Sequence, residues 1–330
     1  MINRKNIAFA IIVFAIIPAC FSLLYAQTAD PLPSWNDNET KKRIISFVKK
    51  VTDANSGSFV PKHERIAVFD NDGTLWAEKP AYFQQAFLLH RIDQISDKYP
   101  EWKMKQPFKA ALERDYDYLR KMDKKLLNKL FIMTHTKMSQ DEFDKLAHEF
   151  INTAKHPKLK KLYKELVYQP MLELMDYLRD NGFKVFICSG GGLEFIRAFS
   201  YAVYGVPKEN VIGTTFQYEM KEDDKGVYIY RKPEFVKPIN LKSGKAVMIQ
   251  RYIGTRPIFG VGNSNGDIQM LRFVASGDKP SMNLLLMHDD EKREFKYDRG
   301  AKVAFEIAHK NNWQVVSIKK DFRVVFPDKP

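Results

Sequence analysis

The stretch that decides the fold is residues 65–74, which read Arg65-Ile-Ala-Val-Phe-Asp-Asn-Asp-Gly-Thr74. A short apolar run that ends in an acid is typical of a buried strand in a parallel sheet, because such strands are covered on both faces. The run leads directly into a glycine turn that contains Asp70 and Asp72. Open parallel sheets bind ligands at the carboxyl ends of their strands. This turn is therefore the first candidate for a functional site.

Asp70 and Asp72 suit a site that combines a cation with acid–base chemistry. One carboxylate of such a pair can attack a substrate while the other moves a proton. An Asx-rich turn or a calcium loop is the alternative interpretation. A loop of the EF-hand type needs more oxygen ligands downstream, and the following side chains of Leu75, Trp76 and Ala77 supply none.

The pattern along the rest of the chain predicts an α/β protein, a Rossmann-like doubly wound parallel sheet with an inserted all-helical cap. Residues 81–168 show the helical period without a convincing strand. Beyond them, apolar strands alternate with helices, which implies a parallel sheet covered on both faces. Residues 215–230 are expected to form a hairpin. Residues 30–38, rich in Pro, Asn and Asp, are expected to be a linker.

Three further polar motifs follow predicted strands or begin helices. Ser189-Gly190-Gly191-Gly192 follows a strand and opens a helix, an arrangement that can bind anions through backbone N–H groups. Lys245 lies near a helix start, where it could neutralise phosphate oxygens. Residues 262–267, Gly-Asn-Ser-Asn-Gly-Asp, offer oxygen ligands for a hard cation. Taken singly, these motifs could equally be a glycine turn, a solvated lysine and a helix cap.

Together, the motifs resemble the four motifs of the haloacid dehalogenase superfamily. The matching residues are Asp70-x-Asp72-Gly73-Thr74, Ser189, Lys245 and Gly262-Asn263-x-x-x-Asp267. The helical block resembles the cap of the phosphoserine phosphatase-like branch. Residues 67–76 and 288–294 look like an exported bacterial subgroup of the superfamily. The resemblance implies a core of residues 27–75 and 169–330 and a cap of residues 76–168.

The resemblance also implies a mechanism, in which Asp70 attacks phosphorus to give an aspartyl phosphate. Asp72 would protonate the leaving oxygen and then activate the hydrolytic water. Ser189, Gly190 and Lys245 would bind the phosphoryl oxygens. Dehalogenases of the superfamily lack an acid at the position of Asp72, so the resemblance favours a phosphatase for a small phosphorylated metabolite.

Magnesium is the cofactor that the resemblance implies. Its ligands would be Asp70, the backbone carbonyl of Asp72 and side chains of the fourth motif, either Asn263 or Asp267. That motif usually begins Gly-Asp, whereas this chain has Gly262-Asn263. An asparagine supplies an oxygen but no negative charge, so weaker magnesium binding is expected.

Substrate specificity is expected to come from the cap, with Trp76 and Glu78 as candidate pocket residues. The alternative is that Trp76 belongs to the hydrophobic core of the cap and that Glu78 is an acidic residue on the surface. A binding protein that captures phosphorylated ligands without turnover, or a phosphotransferase, remains an alternative to a hydrolase. Product analysis distinguishes these classes.

Composition limits the partners. The chain has 53 Lys+Arg against 40 Asp+Glu, a formal charge of +13, which can steer anionic substrates. The basic residues are widely spread, so nucleic-acid binding is not expected. Two cysteines exclude an internal disulfide framework in the mature chain, and the seven histidines show no zinc-ligand spacing.

The first 26 residues are expected to be a signal peptide that directs the protein to the periplasm or outside the cell. Arg4 and Lys5 precede an apolar run, and Ala26 offers a cleavage site. No membrane partner is expected after its removal. An uncleaved anchor, or a lipid on Cys20, is the minor alternative, and the N-terminal residue of the exported protein distinguishes these cases.

Overall fold

The computed structural model describes residues 30–224 and 226–327. The expected signal peptide lies outside these residues. The strands are β1 (Ile66–Phe69), β2 (Lys184–Gly192), β3 (Val211–Thr214), β4 (Phe216–Asp223), β5 (Gly226–Phe235), β6 (Phe259–Gly262), β7 (Met282–Asp289), β8 (Lys296–Tyr297) and β9 (Gln314–Ser317).

The α-helices flank the strands and also fill the insert. They are α1 (Glu39–Thr52), α2 (Phe83–Ile95), α3 (Phe108–Glu113), α4 (Tyr116–Lys121), α5 (Lys124–His135), α6 (Gln140–Thr153), α7 (Gln169–Asp180), α8 (Leu193–Arg197), α9 (Ser200–Tyr204), α10 (Ser243–Ile253), α11 (Ile268–Ala275), α12 (Lys302–Lys310) and α13 (Ile318–Asp321). Short 3-10 turns lie at Lys62–Glu64, Ser96–Lys98, Pro100–Lys103, Tyr163–Glu165 and Lys208–Asn210.

The central sheet confirms the predicted fold class. Its strand order is β3-β2-β1-β6-β7-β8, with β9 also paired to β7. All of its pairings are parallel except that of β7 with β8. The chain runs from β1 outward to β3 on one side and from β6 to β9 on the other. The carboxyl end of β1 therefore lies at the switch point, where open α/β sheets bind ligands.

Alternate residues of β1 supply the two faces of the sheet. Ala67 and Phe69 belong to a core shared with α1 and α7. Val68 belongs to a second core, shared with α10, α11 and α12. Burial on both faces explains why the β1 sequence is apolar without alternation. It also fixes the register of the strand, since a shift of one residue would exchange its two faces.

The helical block predicted for residues 81–168 corresponds to α2–α6. Capping explains why two of its helix starts could be read from the sequence: Asp123 accepts from the N–H of Leu126 and Ser139 from that of Glu142. The insert has a hydrophobic cluster of its own, in which Trp102 stacks on Phe108 at 4.1 Å.

The insert leaves and rejoins the sheet domain through paired backbone. The N–H of Ala77 donates to the carbonyl of Leu166, and that of Tyr168 to the carbonyl of Leu75. These bonds hold the two connections side by side at the end of β1.

The predicted hairpin is present and extends beyond residue 230, because β5 continues to Phe235. It packs against the insert: the N–H of Lys137 donates to the carbonyl of Arg231, and the N–H of Arg231 to the carbonyl of Met138. The hairpin and the insert therefore form neighbouring walls above the carboxyl edge of the sheet.

The prediction that residues 30–38 form a linker is wrong. Leu32 and Trp35 are buried in the main core. The Trp35 indole N–H donates to the carbonyl of Pro170, and its ring meets Phe322 edge to face at 5.1 Å. Composition suggested a loop correctly, but it could not reveal that this loop is packed between α7 and the C-terminal segment. In the described part of the chain, no helix has the length and hydrophobicity needed to cross a membrane.

Trp35→Ala is expected to lower the free energy of unfolding by about 3–5 kcal/mol, because it removes a fully buried aromatic side chain. The measurement is urea denaturation of a protein that contains residues 27–330. Met104, which is 82% exposed, provides the control, and Met104→Ala should change the same free energy by less than about 0.5 kcal/mol. Equal effects of the two substitutions would contradict the packed position of residues 30–38.

Candidate active site

The turn after β1 is closed by its own backbone. The carbonyl of Asn71 accepts from the N–H groups of Thr74 and Leu75, at 3.1 and 2.8 Å. Gly73 adopts a φ of +69°, which favours glycine. A Cβ at Gly73 would lie 2.0 Å from Nδ2 of Asn263. Glycine is therefore required here both for the backbone angle and for the close approach of the loop after β6.

Lys245, from the first turn of α10, connects two carboxylates at the carboxyl edge of the sheet. Its Nζ lies 2.6 Å from Oδ1 of Asp70 and 2.6 Å from Oδ1 of Asp267. All three side chains are buried. The structure thus brings together the first, third and fourth motifs, which are far apart in the sequence.

Asp267 is already occupied by protein donors. Its Oδ2 accepts from the backbone N–H groups of Asn263 and Ser264 and from the Ser264 hydroxyl, at 3.0–3.1 Å. Its Oδ1 accepts from Lys245. Asn263, in contrast, has its Oδ1 only in a long contact of 3.3 Å with the Thr74 hydroxyl. Of the two candidate metal ligands, Asn263 is therefore the more available, and Asp267 positions Lys245 and the loop.

Burial sets the protonation of the charged groups. It raises the pKa of Asp70, an effect that Asp267 reinforces and that the Lys245 ammonium opposes by favouring the ionised carboxylate. It raises the pKa of Asp72 to about 6, against a hydrogen bond from Trp76 that favours the ionised form. For Lys245, burial disfavours the charge, but Asp267 and Asp70 outweigh it and the pKa rises. Lys245 is therefore an ammonium group.

Trp76 holds Asp72 rather than facing the cavity. Its indole N–H donates to Oδ1 of Asp72 at 2.7 Å. The ring is fully buried and packs on Phe83 and Phe199, with centroids at 4.5 and 4.6 Å. The expectation that Trp76 lines the pocket is therefore wrong. Trp76 instead positions Asp72. Glu78, the other candidate, does line the cavity, where Lys79 pairs with it at 3.2 Å.

The glycine motif, expected to follow a strand and open a helix, instead forms the last residues of β2, where it lies opposite Asp72. β2 continues through Gly192, and α8 begins only at Leu193. Gly190 lines the cavity, whereas Ser189 is buried and its hydroxyl accepts from the N–H of Gly191 at 3.0 Å. A Cβ at Gly191 would lie 3.6 Å from Oδ2 of Asp72. The absence of side chains leaves room beside that carboxylate.

His288 is a structural contributor that sequence reasoning did not assign. Its Nε2 lies 2.9 Å from the carbonyl oxygen of Gly73, and its Nδ1 lies 3.2 Å from Oε2 of Glu294. Tyr168 donates to the other oxygen of Glu294 at 3.0 Å. All of these side chains are buried. Residues 288–294 are part of the resemblance to the superfamily, but only the fold shows that they support the turn after β1.

A cavity of about 610 Å³ opens above these residues. Asp70, Asp72, Lys245, Asn263 and Asp267 all contribute to its lining. The volume falls in the range of about 300–1,000 Å³ that is usual for small-molecule sites. The polar residues at the sheet edge and the walls from the insert and hairpin thus enclose one site.

The donor set fits a hard divalent cation. Asp70, Asn263 and the carbonyl of Asp72 are the oxygen ligands such ions prefer, and the site contains more carboxylates than the single buried ammonium of Lys245 balances. No group of three or more His, Cys, Asp or Glu side chains that could hold a metal is found among residues 30–224 and 226–327.

The fold and site define a class of α/β proteins with an acidic turn at the carboxyl end of the first strand of a mainly parallel sheet. A family model described as haloacid dehalogenase-like hydrolase matches residues 67–272, more than half of the chain. The chain therefore belongs to the haloacid dehalogenase-like hydrolase family, and the family expected from the sequence motifs is confirmed. No curated protein sequence matches the chain.

The chain is similar to several solved structures at low sequence identity. A conserved, functionally unknown protein from Anaerococcus prevotii has a TM-score of 0.57 and 17% identity, covering 87% of this chain and 94% of its own. A phosphoserine phosphohydrolase-like protein from Francisella tularensis has a TM-score of 0.40 and 16% identity, covering 78% and 95%. At these identities the likeness concerns the fold alone.

His288→Phe is expected to lower the free energy of unfolding by about 3–5 kcal/mol, because it removes the imidazole beside the buried Glu294 carboxylate and leaves only the hydrogen bond from Tyr168. Replacing both residues, with Glu294→Leu, should cost less than the sum of the single substitutions. Urea denaturation of the four proteins measures this coupling.

The exposed pair of His148 and Asn152 on α6 provides the control, and His148→Phe should have a small effect. If His288→Phe cost less than about 1 kcal/mol and the double substitution were additive, the supporting role of His288 would be wrong.

Proposed function

We propose that the protein is a magnesium-dependent phosphomonoesterase that acts through an aspartyl phosphate on Asp70. The observation that carries the proposal is the buried Lys245 ammonium, 2.6 Å from the carboxylates of both Asp70 and Asp267, in the lining of the cavity. A phosphate ester is an anion, so an anionic nucleophile needs a fixed positive charge beside it. Family membership supports hydrolysis as the class of reaction.

The first step is attack of the Asp70 carboxylate on phosphorus. The bond from phosphorus to the ester oxygen breaks, and its electron pair goes to the departing alcohol. Asp72 supplies the proton that this oxygen takes up. A pKa raised to about 6 by burial suits this role, because the group can hold a proton and release it near neutral pH.

The second step returns the carboxylate. Asp72 accepts a proton from a water molecule, whose oxygen attacks phosphorus and displaces Asp70. The products are an alcohol and inorganic phosphate. Trp76 keeps Asp72 in place through both steps by donating to Oδ1, which leaves Oδ2 on the side of Gly191.

The groups proposed to bind the phosphoryl oxygens are the Lys245 ammonium and the backbone N–H of Gly190. The third proposed group is the buried Ser189 hydroxyl, which accepts from the N–H of Gly191. Asp267 holds the ammonium in position through its own contact of 2.6 Å with Nζ. Asp70, the carbonyl of Asp72 and Asn263 would hold the magnesium ion. When bound, the ion supplies charge neutralisation for the phosphoryl oxygens and the nucleophile.

Phosphate release from a generic aryl phosphate tests the proposal. With residues 27–330, release is expected with magnesium, to cease with a chelator, and to fall at least about a thousandfold in Asp70→Asn, because an amide is a far poorer nucleophile. Asp37→Asn, at an exposed position, is the matched control and should retain activity.

Tight binding of phosphorylated ligands without release would instead indicate a binding protein. Transfer of the phosphoryl group to an added alcohol in preference to water would indicate a phosphotransferase. Release that persists in Asp70→Asn would contradict the mechanism.

Asn263→Asp is expected to lower the magnesium concentration needed for half-maximal phosphate release by about tenfold or more. The substitution adds a negative charge at the ligand position that is most available. The measurement is a magnesium titration of the rate. Asn55→Asp, which adds the same charge at an exposed site, should leave the titration unchanged, and an unchanged titration in Asn263→Asp would remove Asn263 from the metal site.

A further inference from the structure

The cavity lining has a second part that the proposed reaction does not use. It comes from α5, α6, α8 and the hairpin, and most of its side chains are apolar. Its members are Leu127, Phe131, His135, Phe143, Phe195, Phe216 and Phe235. The proposed chemistry needs only the residues at the sheet edge, so this wall is available to bind the alcohol portion of a substrate.

We infer that the preferred substrates are phosphomonoesters whose alcohol portion contains an aromatic ring bearing a hydrogen-bond donor. The ring would pack on the phenylalanine wall, and the donor would bind Nε2 of His135. This inference rests on the proposed phosphatase function and deepens it by assigning a substrate class.

The wall is built from aromatic rings that contact one another. Phe131 and Phe143 meet the His135 ring with centroids at 5.0 and 5.3 Å. Phe216 stacks on Phe235 at 4.3 Å. Aromatic pairs prefer such offset or edge-to-face contacts, and a planar ring can extend them. The wall therefore favours an aromatic group.

His135 supplies a specific polar contact in this apolar wall. Its ring is buried, and its Nδ1 lies 2.7 Å from the Thr134 hydroxyl oxygen. That hydroxyl donates its only proton to the carbonyl of Leu130, at 2.8 Å. With that proton on the Leu130 carbonyl, the hydroxyl oxygen accepts from His135, and we therefore assign the ring proton to Nδ1 and the acceptor role to Nε2.

Nε2 of His135 is buried and has no hydrogen-bond partner in the described structure. A buried polar atom without a partner is costly, and a ligand that donates to it removes that cost. Burial, with help from Arg231 and Arg91, lowers the pKa of His135 well below its usual value, so the ring stays neutral. A neutral donor on the ligand, such as a hydroxyl or an amine N–H, is the complementary group.

The charged groups of the wall are occupied by each other and by the protein. Arg231 donates to the carbonyl of His135 and to Gln140, and lies 3.4 Å from Glu194. Glu194 also accepts from the hydroxyls of Thr215 and Tyr218. These pairings favour an uncharged alcohol portion over a zwitterionic one such as that of an amino acid.

The size of the cavity is consistent with such a ligand. At about 30 Å³ for each water-sized atom, 610 Å³ has room for roughly 20 non-hydrogen atoms. A phosphoryl group on a three-carbon alcohol would leave most of that space empty.

The test compares esters of primary alcohols, so that leaving-group chemistry stays nearly constant. The probes are ethyl phosphate, phenethyl phosphate and the para- and meta-hydroxy derivatives of phenethyl phosphate, and the readout is kcat/KM. The kcat/KM for phenethyl phosphate should exceed that for ethyl phosphate by at least about tenfold, because binding buries the aromatic ring. The better hydroxy derivative should gain a further factor of roughly three to ten.

His135→Phe separates the two contributions. It fills the same aromatic environment but removes the acceptor, so the advantage of the hydroxyl should disappear while that of the ring remains. His148→Phe, at an exposed position on α6, is the matched control and should preserve both advantages. Phe131→Ala, at a half-buried position, should reduce the advantage of the ring.

The outcomes are distinct. Equal kcat/KM for ethyl and phenethyl phosphate in the wild-type protein would overturn the aromatic substrate class while leaving the phosphatase in place. A hydroxyl advantage that survives in His135→Phe would overturn the role of His135. Absence of phosphate release from every ester, including generic aryl phosphates, would overturn the proposed function and this inference with it.

Discussion

The contact on which the rest of the site depends is the buried ammonium of Lys245 between Asp70 and Asp267. It joins the end of β1, the start of α10 and the loop after β6, so these elements must approach closely. Two glycines permit that approach: Gly73 lies against Asn263, and a Cβ at Gly262 would lie 2.6 Å from Cβ of Asp267. The cluster keeps more negative than positive charge, which explains why the donor set suits a divalent cation.

This arrangement also explains why the sheet contributes the reactive groups, whereas the insert and the hairpin contribute the walls of the cavity. The sheet supplies groups fixed by backbone and core packing, because β1 is buried on both faces. The insert and the hairpin supply the walls, and their lining is mainly aromatic. A site of this kind can keep one reaction while the walls select among substrates, as is usual where function lies on the loops of a rigid scaffold.

The features that could be predicted from the sequence are those that depend on local sequence patterns. The strand before Asp70, the capped helices after Asp123 and Ser139, and the polar groups at strand ends all have short-range signals. The burial of Trp35 has none, because its partners Pro170 and Phe322 are more than a hundred residues away. For the same reason, the sequence offered no way to pair His288 with Gly73. Trp76 is only four residues from Asp72, but its burial against Phe199, which turns the ring away from the cavity, depends on tertiary packing. Aromatic residues were visible in the helical block, but their meeting with the hairpin depends on tertiary packing.

The most direct test of the account is to find the phosphoryl group on the enzyme. The protein would be quenched in acid during turnover of an aryl phosphate with magnesium, and its peptides analysed by mass spectrometry. The account predicts a phosphorylated peptide with the group on Asp70, absent without substrate and absent in Asp70→Asn. Steady phosphate release with no phosphorylated Asp70 at any quench time, or with the phosphoryl group on another residue, would contradict it.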